Sequence, residues 1–280
     1  MRISKRGTAG IAVAAVVAGT LTGTATTASA ASAAHIRVIT ARMTKSAIHL
    51  SVGHAIHAGT VEFKVVSADG KGHELQLARL HRGYTLQQAG SDINKAFRGD
   101  IAAIRRVDHN ITFRGGSPAR PGRPGHVTVT LNAGRYYAFD QNGAGLASIR
   151  VRGIGTPSPV AHRGWITAHT YGFENSRLTN SGVMRVNNIS DQPHFVVMQR
   201  VKPSTTRRQV ARVFNRPPSN KQPGWVLRAN TDSAVISPYH FEYFRYDLPR
   251  GKYLLACFWP DDDTGMPHAY MGMWKLVRLH

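Results

Sequence analysis

The chain has 280 residues and is strongly basic, with 36 Lys and Arg against 15 Asp and Glu and a formal net charge of +21. One cysteine cannot form an internal disulfide, so the fold must be stabilised by packed cores. The charge favours anionic partners such as a cell envelope. Specific nucleic-acid binding is not expected, because the basic residues are scattered and no helix-turn-helix or zinc-finger spacing is found.

The first 30 residues have the pattern of a secretory signal peptide. A basic start is followed by a short apolar run interrupted by Gly and Thr, and small residues at 28–30 suit cleavage. Loss of this segment removes Arg2, Lys5 and Arg6 and lowers the net charge to +18. The remaining sequence lacks a stretch long and apolar enough for a transmembrane helix. We therefore expect a secreted, extracellular protein.

Short alternating segments in the first half predict β-strands. Residues 60–66 and 73–80 alternate apolar and polar side chains, and further strands are predicted at 126–131 and 135–140. Between them, residues 85–107 carry apolar side chains at helical spacing. The second half repeats this order, with strands at 182–188, 193–201, 239–248 and 251–257 and a helical segment at 205–214.

A repeat of roughly 120 residues is too long for a solenoid and suits a duplicated domain. The sequence therefore predicts an all-β protein of two tandem Greek-key β-sandwich domains, each with a short helical insertion. The domains are expected at residues 35–153 and 164–280. The Gly- and Pro-rich segment 154–163 is interpreted as the linker.

The segment 251–273 carries the side chains most typical of a metal site. It contains the single cysteine, Cys257, followed after ten residues by His268 and then by Met271 and Met273. A thiolate, an imidazole and a thioether on one loop are ligand types that suit copper. A buried, inert thiol with no metal is the alternative interpretation of Cys257.

Two motifs of the second half resemble the cupredoxin family of blue copper proteins. In residues 187–194, a strand and turn lead into His194 at the start of a new apolar strand. In Gly251-x-Tyr253-x3-Cys257, a strand ends at the cysteine. The resemblance covers the whole second half, and the first half keeps the pattern of strands without the ligands.

The resemblance implies one copper ion in the second domain. Its implied ligands are His194, Cys257, His268 and Met273, with Met271 as the alternative axial ligand. The spacing of ten residues between Cys257 and His268 is longer than that of small cupredoxins and is more similar to that of copper nitrite reductases. In the first half, Asp140 stands at the place of Cys257, which predicts a domain without copper ligands.

Two functions remain open from the sequence. The first is a secreted two-domain cupredoxin-like protein that binds one copper for electron transfer or copper handling, with an unknown redox partner. The second is a metal-free β-sandwich module with a degenerate site, associated electrostatically with an anionic cell envelope. Enzyme activity is not expected, because neither the His-x-His pairs of a second copper centre nor a Gly-x-Ser-x-Gly motif is present.

Overall fold

The structure is a computed structural model that describes residues 36–53, 55–217, 219 and 221–280. The signal peptide predicted for residues 1–30 lies outside these residues. None of the helices in the described part of the chain has the length and apolar character needed to cross a membrane. The predicted all-β class is confirmed, since strands dominate and the helices are short.

The described residues of the first half form nine strands and two helices. They are β1 (Arg37–Thr44), β2 (Ala47–Leu50), β3 (Ala55–His57), β4 (Gly59–Ser67), β5 (His73–Leu80), α1 (Leu86–Ala96), α2 (Ile101–Asn110), β6 (Ile111–Ala119), β7 (Gly125–Leu131), β8 (Gly134–Asp140) and β9 (Leu146–Arg152).

In the described part of the second half there are eight strands and one α-helix. They are β10 (Gly164–His169), β11 (Gly172–Asn175), β12 (Ser181–Asn188), β13 (Val197–Val201), α3 (Arg207–Phe214), β14 (Val226–Asp232), β15 (Phe241–Asp247), β16 (Gly251–Ala256) and β17 (Trp274–Leu279). A short 3₁₀ turn at His268–Met271 precedes β17.

The two halves have the same strand pairing. In the first half β1 pairs antiparallel with β2 and parallel with β4, and β4 pairs antiparallel with β7. In the second half β10, β11, β12 and β15 repeat these relations. The equivalent strands β7 and β15 pair with each other, which joins both halves into one eight-stranded sheet of order β11-β10-β12-β15-β7-β4-β1-β2.

Each half adds a second sheet that covers its part of the shared one. These sheets have the orders β3-β9-β8-β5-β6 and β14-β13-β16-β17. Apolar side chains that alternate inward from both layers form the cores, for example Phe63 and Leu75 in the first half and Phe244 and Leu255 in the second. The second core also includes Phe113 of β6, so it continues into the first half.

The helical insertion of the first half differs from its prediction. The sequence predicted one helical segment over residues 85–107, whereas α1 and α2 are separate helices. Gly99 has a φ of +83°, which stops α1, and the Asp100 side chain accepts a hydrogen bond from Ala103 N–H and caps α2. At the second insertion, Thr206 and Gln209 form a capping box for α3.

Residues 154–162, within the expected linker, have no regular secondary structure and lie against β4. The Ser158 N–H donates to Thr60 Oγ1 over 2.8 Å. All described residues belong to one compact unit. The division into two domains at this segment remains a prediction. The two halves are joined by the shared sheet as well as by this segment.

Candidate metal centre

Three donor side chains meet at one end of the four-stranded sheet. Strands β13 and β16 are antiparallel neighbours, with Val197 opposite Ala256, so the start of β13 lies beside the end of β16. His194 stands just before β13, and Cys257 directly follows β16. The strand register therefore brings together two side chains that are 63 positions apart in the sequence.

The donor atoms of these residues and of His268 form a small triangle. His194 Nδ1 and His268 Nδ1 are 3.0 Å apart, and Cys257 Sγ lies 3.5 Å from the first and 3.7 Å from the second. All three residues are buried, with exposed fractions of 0–1%. Within the described residues, this is the one His, Cys and carboxylate group of three or more that is positioned to hold a metal ion.

The triangle has the size that one metal ion requires. Metal–nitrogen and metal–sulfur bonds of about 2.0–2.3 Å in a trigonal arrangement place neighbouring ligand atoms about 3.5 Å apart. Two imidazoles and one thiolate in such a plane are the donor set of blue-copper sites. The residues present therefore fit a single copper ion.

The ten residues 258–267 carry His268 inward rather than away from the cysteine. His268 N–H donates to Trp259 O over 2.9 Å, and Ala269 N–H donates to Cys257 O over 2.7 Å. These bonds close the segment into a loop whose two ends lie side by side. The length of the loop is thus compatible with a complete ligand group.

The aspartates of this loop help to position His268. Asp261 is fully buried, and its carboxylate accepts hydrogen bonds from the Tyr171 hydroxyl (2.6 Å) and from Gln192 Nε2 (3.1 Å). Gln192 Oε1 in turn accepts from His268 Nε2 over 2.7 Å. Because His268 donates through Nε2, its Nδ1 keeps a lone pair directed at the donor triangle.

The Asp261 carboxylate stays ionised in this buried position. Burial by itself would raise the pKa of Asp261, but hydrogen bonds from Tyr171, Thr264 and Gln192 outweigh it and hold the pKa well below its usual range. A fixed negative charge at this position keeps Gln192 in the orientation that accepts from His268.

Backbone groups support the cysteine sulfur. The backbone groups of Phe195 and Trp259 favour the thiolate form of Cys257 and act to lower its pKa. The buried Asn188 connects the neighbouring loops, since its Nδ2 donates to Gln192 O (2.7 Å) and Ile236 O (3.0 Å).

Burial sets the protonation of the three donor side chains. It lowers the pKa of His194 to about 2 and that of His268 to about 4, so both imidazoles are neutral at pH 7. Burial also raises the pKa of the Cys257 thiol to about 12, against the effect of the Phe195 and Trp259 backbone groups. A metal that binds here must displace the thiol proton.

The two candidate axial methionines have different surroundings. Met273 is fully buried and belongs to the same core as Cys257. Its backbone lies next to both other loop ligands, since Met273 N–H donates to His268 O and Met273 O accepts from Cys257 N–H. Met271 is half-buried, and its sulfur accepts a hydrogen bond from the Thr264 hydroxyl over 3.6 Å.

The corresponding place in the first half holds an ion-paired histidine. His73 begins β5 and Asp140 ends β8, and His73 Nδ1 lies 2.7 Å from Asp140 Oδ2. His73 Nε2 lies 2.8 Å from Asp69 Oδ1, so both ring nitrogens are occupied. The first half therefore replaces the histidine–cysteine pair by a histidine between two carboxylates.

The sequence did not identify Gln192 or Tyr171 as parts of the site, nor the hydrogen bonds that Asp261 accepts from them. Asp261 also closes the turn of the loop, because it accepts from the N–H groups of Asp263 and Thr264. The sequence offered no periodicity or spacing that would identify Gln192.

Comparisons of sequence identify no relatives: no family model matches the chain, and no curated protein does. Comparisons of structure give copper proteins. Auracyanin from Roseiflexus castenholzii is 17% identical, with 41% of this chain and 94% of that chain covered and a TM-score of 0.26. Copper nitrite reductase from Nitrosomonas europaea is 13% identical, with 88% and 94% covered and a TM-score of 0.23.

A multicopper oxidase from Pediococcus acidilactici is 7% identical, with 88% of this chain and 59% of that chain covered and a TM-score of 0.23. The structures found are those of copper proteins. At these identities and TM-scores the likeness does not extend to an activity. The structure itself shows two halves with the same strand pairing and, among the described residues, a buried His–Cys–His group positioned to hold a metal ion.

Proposed function

We propose that the second half binds one copper ion through His194, Cys257 and His268, with Met273 as the axial ligand. The observation that carries the proposal is the buried triangle of donor atoms, with sides of 3.0–3.7 Å. Its two imidazoles are neutral at pH 7, and one of them is oriented by Gln192. The full burial of Met273 favours it over Met271.

The proposed role is electron transfer or copper handling. Copper held by two imidazoles, a thiolate and a weak thioether supplies one-electron redox chemistry, because this ligand set stabilises both oxidation states. The protein keeps the ligands in place and excludes water from them. Electron transfer needs a redox partner, and the donor and acceptor are external to the chain.

Copper titration tests the proposal. Addition of one equivalent of Cu(II) to the purified protein is expected to give the intense visible band of thiolate-to-copper charge transfer and to raise the melting temperature. At a free copper concentration 100 times Kd, binding stabilises the fold by about 2.7 kcal/mol. Cys257→Ser is nearly isosteric and should abolish the band while the apo protein still folds.

The matched control changes the first half. Asp140→Asn alters the equivalent position of the first half and should leave the copper band and the stoichiometry of one unchanged. A wild-type protein that stays colourless and gains no thermal stability with copper would refute the proposal. It would favour the metal-free module as the function.

We propose further that the protein acts outside the cell, after export directed by residues 1–30. The support is the signal-peptide pattern of the sequence. Its high positive charge then favours contact with an anionic envelope. The intact mass of the secreted protein shows whether residues 1–30 are removed. Retention of the protein on isolated cell wall should fall as the salt concentration is raised. Equal retention at low and high salt would contradict the electrostatic contact.

A further inference from the structure

The outer face of the shared sheet carries an unusual row of side chains in the second half. Across β10, β12 and β15, Trp165 lies opposite Arg185, and Arg185 lies opposite Tyr243. The next outward row is Thr167, Asn187 and Phe241. Apart from Tyr243, the residues of these two rows line an open depression of about 640 Å³, whose further lining includes His162, Glu174, Asn188, Tyr239 and His240.

Arg185 is the charged centre of this depression. Its guanidinium lies 4.3 Å from the ring centre of Phe241 and 5.9 Å from that of Tyr243. Among the described residues it has no hydrogen-bonding or ion-pair partner, and its Nε is buried and unpaired. A guanidinium offers five donors and is usually paired with a carboxylate or phosphate when partly buried. The arrangement favours an anionic group from outside the chain.

Aromatic and polar side chains surround the guanidinium. Trp165 is 37% exposed and Tyr239 is 76% exposed, so both side chains are accessible to a ligand. Asn187 Nδ2 donates to Thr167 Oγ1 over 3.2 Å, which leaves the amide oxygen of Asn187 free to accept. Glu174 adds an exposed carboxylate at the edge. Flat apolar rings beside hydrogen-bonding groups suit a sugar ring, which has apolar C–H faces and a hydroxyl rim.

The duplicated half provides an internal comparison. The strand register gives the equivalent positions in the first half. Trp165 corresponds to Val38, Arg185 to Glu62 and Tyr243 to Thr128. Asn187 corresponds to Lys64, and Phe241 corresponds to His126. In the first half Glu62 is already paired with His126 over 2.7 Å. On equivalent strands, the first half therefore has Glu62 paired with His126. The second half has Arg185 among aromatic rings, without an ion-pair partner in the described residues.

We propose that this depression binds an acidic saccharide, with the sugar carboxylate on Arg185 and the ring stacked on Trp165 or Tyr239. A nucleic acid fits less well, because its binding depends on several phosphate contacts and the lining holds one guanidinium, whereas a saccharide can bind through one carboxylate and ring stacking. The depression lies on the outward face of β12, whereas Met184 and Val186 of the same strand face the core, and its lining includes none of the proposed copper ligands. The saccharide site is therefore separate from the metal centre and does not depend on copper.

Isothermal titration of the full chain with trigalacturonate tests this site, with and without one equivalent of copper. Saturable binding is expected in both states. Arg185→Met should weaken it by at least about tenfold, as loss of a charge-assisted contact implies. Trp165→Ala should weaken it as well, and Trp165→Phe should restore part of the affinity. Unchanged melting temperatures would show that these variants fold.

Two controls decide the specificity. Val38→Ala removes the exposed side chain at the equivalent place in the first half and should leave the affinity unchanged. The fully methyl-esterified trisaccharide should bind at least about tenfold more weakly than the acid, for the same reason as Arg185→Met. No saturation at millimolar trigalacturonate, or equal affinity for the ester, would overturn the proposal. Equally strong competition by inorganic phosphate would also overturn it, because it would identify a general anion site.

Discussion

Replacement of Gln192 by alanine tests whether the protein, before any metal binds, positions His268. In the native fold Gln192 Oε1 accepts from His268 Nε2 over 2.7 Å, and its Nε2 donates to Asp261 over 3.1 Å and to Asp262 over 2.8 Å. Gln192→Ala leaves the buried His268 donor without an acceptor and removes one donor from the buried Asp261 carboxylate.

The magnitude follows from these contacts. A buried donor left without a partner costs about 1–3 kcal/mol, and a hydrogen bond to a charged group contributes about 1.5–3 kcal/mol. Water that enters the space of the side chain recovers part of this, so we expect a loss of about 3 kcal/mol in the free energy of unfolding. For a chain of this size the melting temperature should fall by roughly 6–12 °C. Loss of such an orienting contact also lowers metal affinity by about 10–100-fold.

Thermal and urea unfolding of the apo protein measure the first effect, and copper titration against a competing chelator measures the second. Gln87→Ala is the matched control, because Gln87 is exposed on α1 and its side chain makes no hydrogen bond in the described structure. If Gln192→Ala matched this control in both stability and copper affinity, the assigned role of Gln192 would be wrong.

Three further predictions concern other buried groups. Met273→Leu, a nearly volume-conserving change, should alter the copper spectrum, whereas Met271→Leu should not; the opposite result would assign the axial position to Met271. The ion pairs of His73 raise its pKa against the effect of burial, so its stabilisation is present below pH 6.5 and is lost as pH rises through the raised pKa. The stability difference between wild type and His73→Gln should therefore shrink from pH 6 to pH 9, and a constant difference would contradict the pairing. Burial raises the pKa of Glu242 well above its usual value, so stability should fall as pH rises from about 4.5. Glu242→Gln should remove that part of the slope in unfolding measurements, and an unchanged slope would refute it.

The duplicated strand pattern could be predicted because it is local. Alternating residues such as those of 60–66 and 182–188 specify a strand with one buried face, and the glycines that begin them, Gly59 and Gly182, have nearly equal φ values of +131° and +130°. The predicted β-class and the order of the strands therefore agree with the structure. The pairing of β7 with β15 is a long-range contact that no local pattern encodes.

The candidate site was predictable to the extent that its residues are chemically distinctive. Cys257 and His268 were selected by residue type and His194 by the resemblance of residues 187–194 to a cupredoxin motif, and the structure brings their donor atoms together. The contacts that hold them were not predictable, since Gln192 is an ordinary amide in a turn. The contacts of the ligand loop with the first half were equally hidden: Trp259 packs edge-to-face on Phe97.

The complete burial of the donor triangle also governs how fast a metal can enter or leave. With His268 and Cys257 each 0% exposed, neither copper nor a chelator can reach the ligand atoms while the loop 258–267 is closed. Exchange must then wait for the loop to open, and its rate becomes a property of the protein rather than of the competing ligand. Removal of copper should accordingly reach a limiting rate that more chelator does not increase, so a bound ion would be retained far longer than its affinity alone implies.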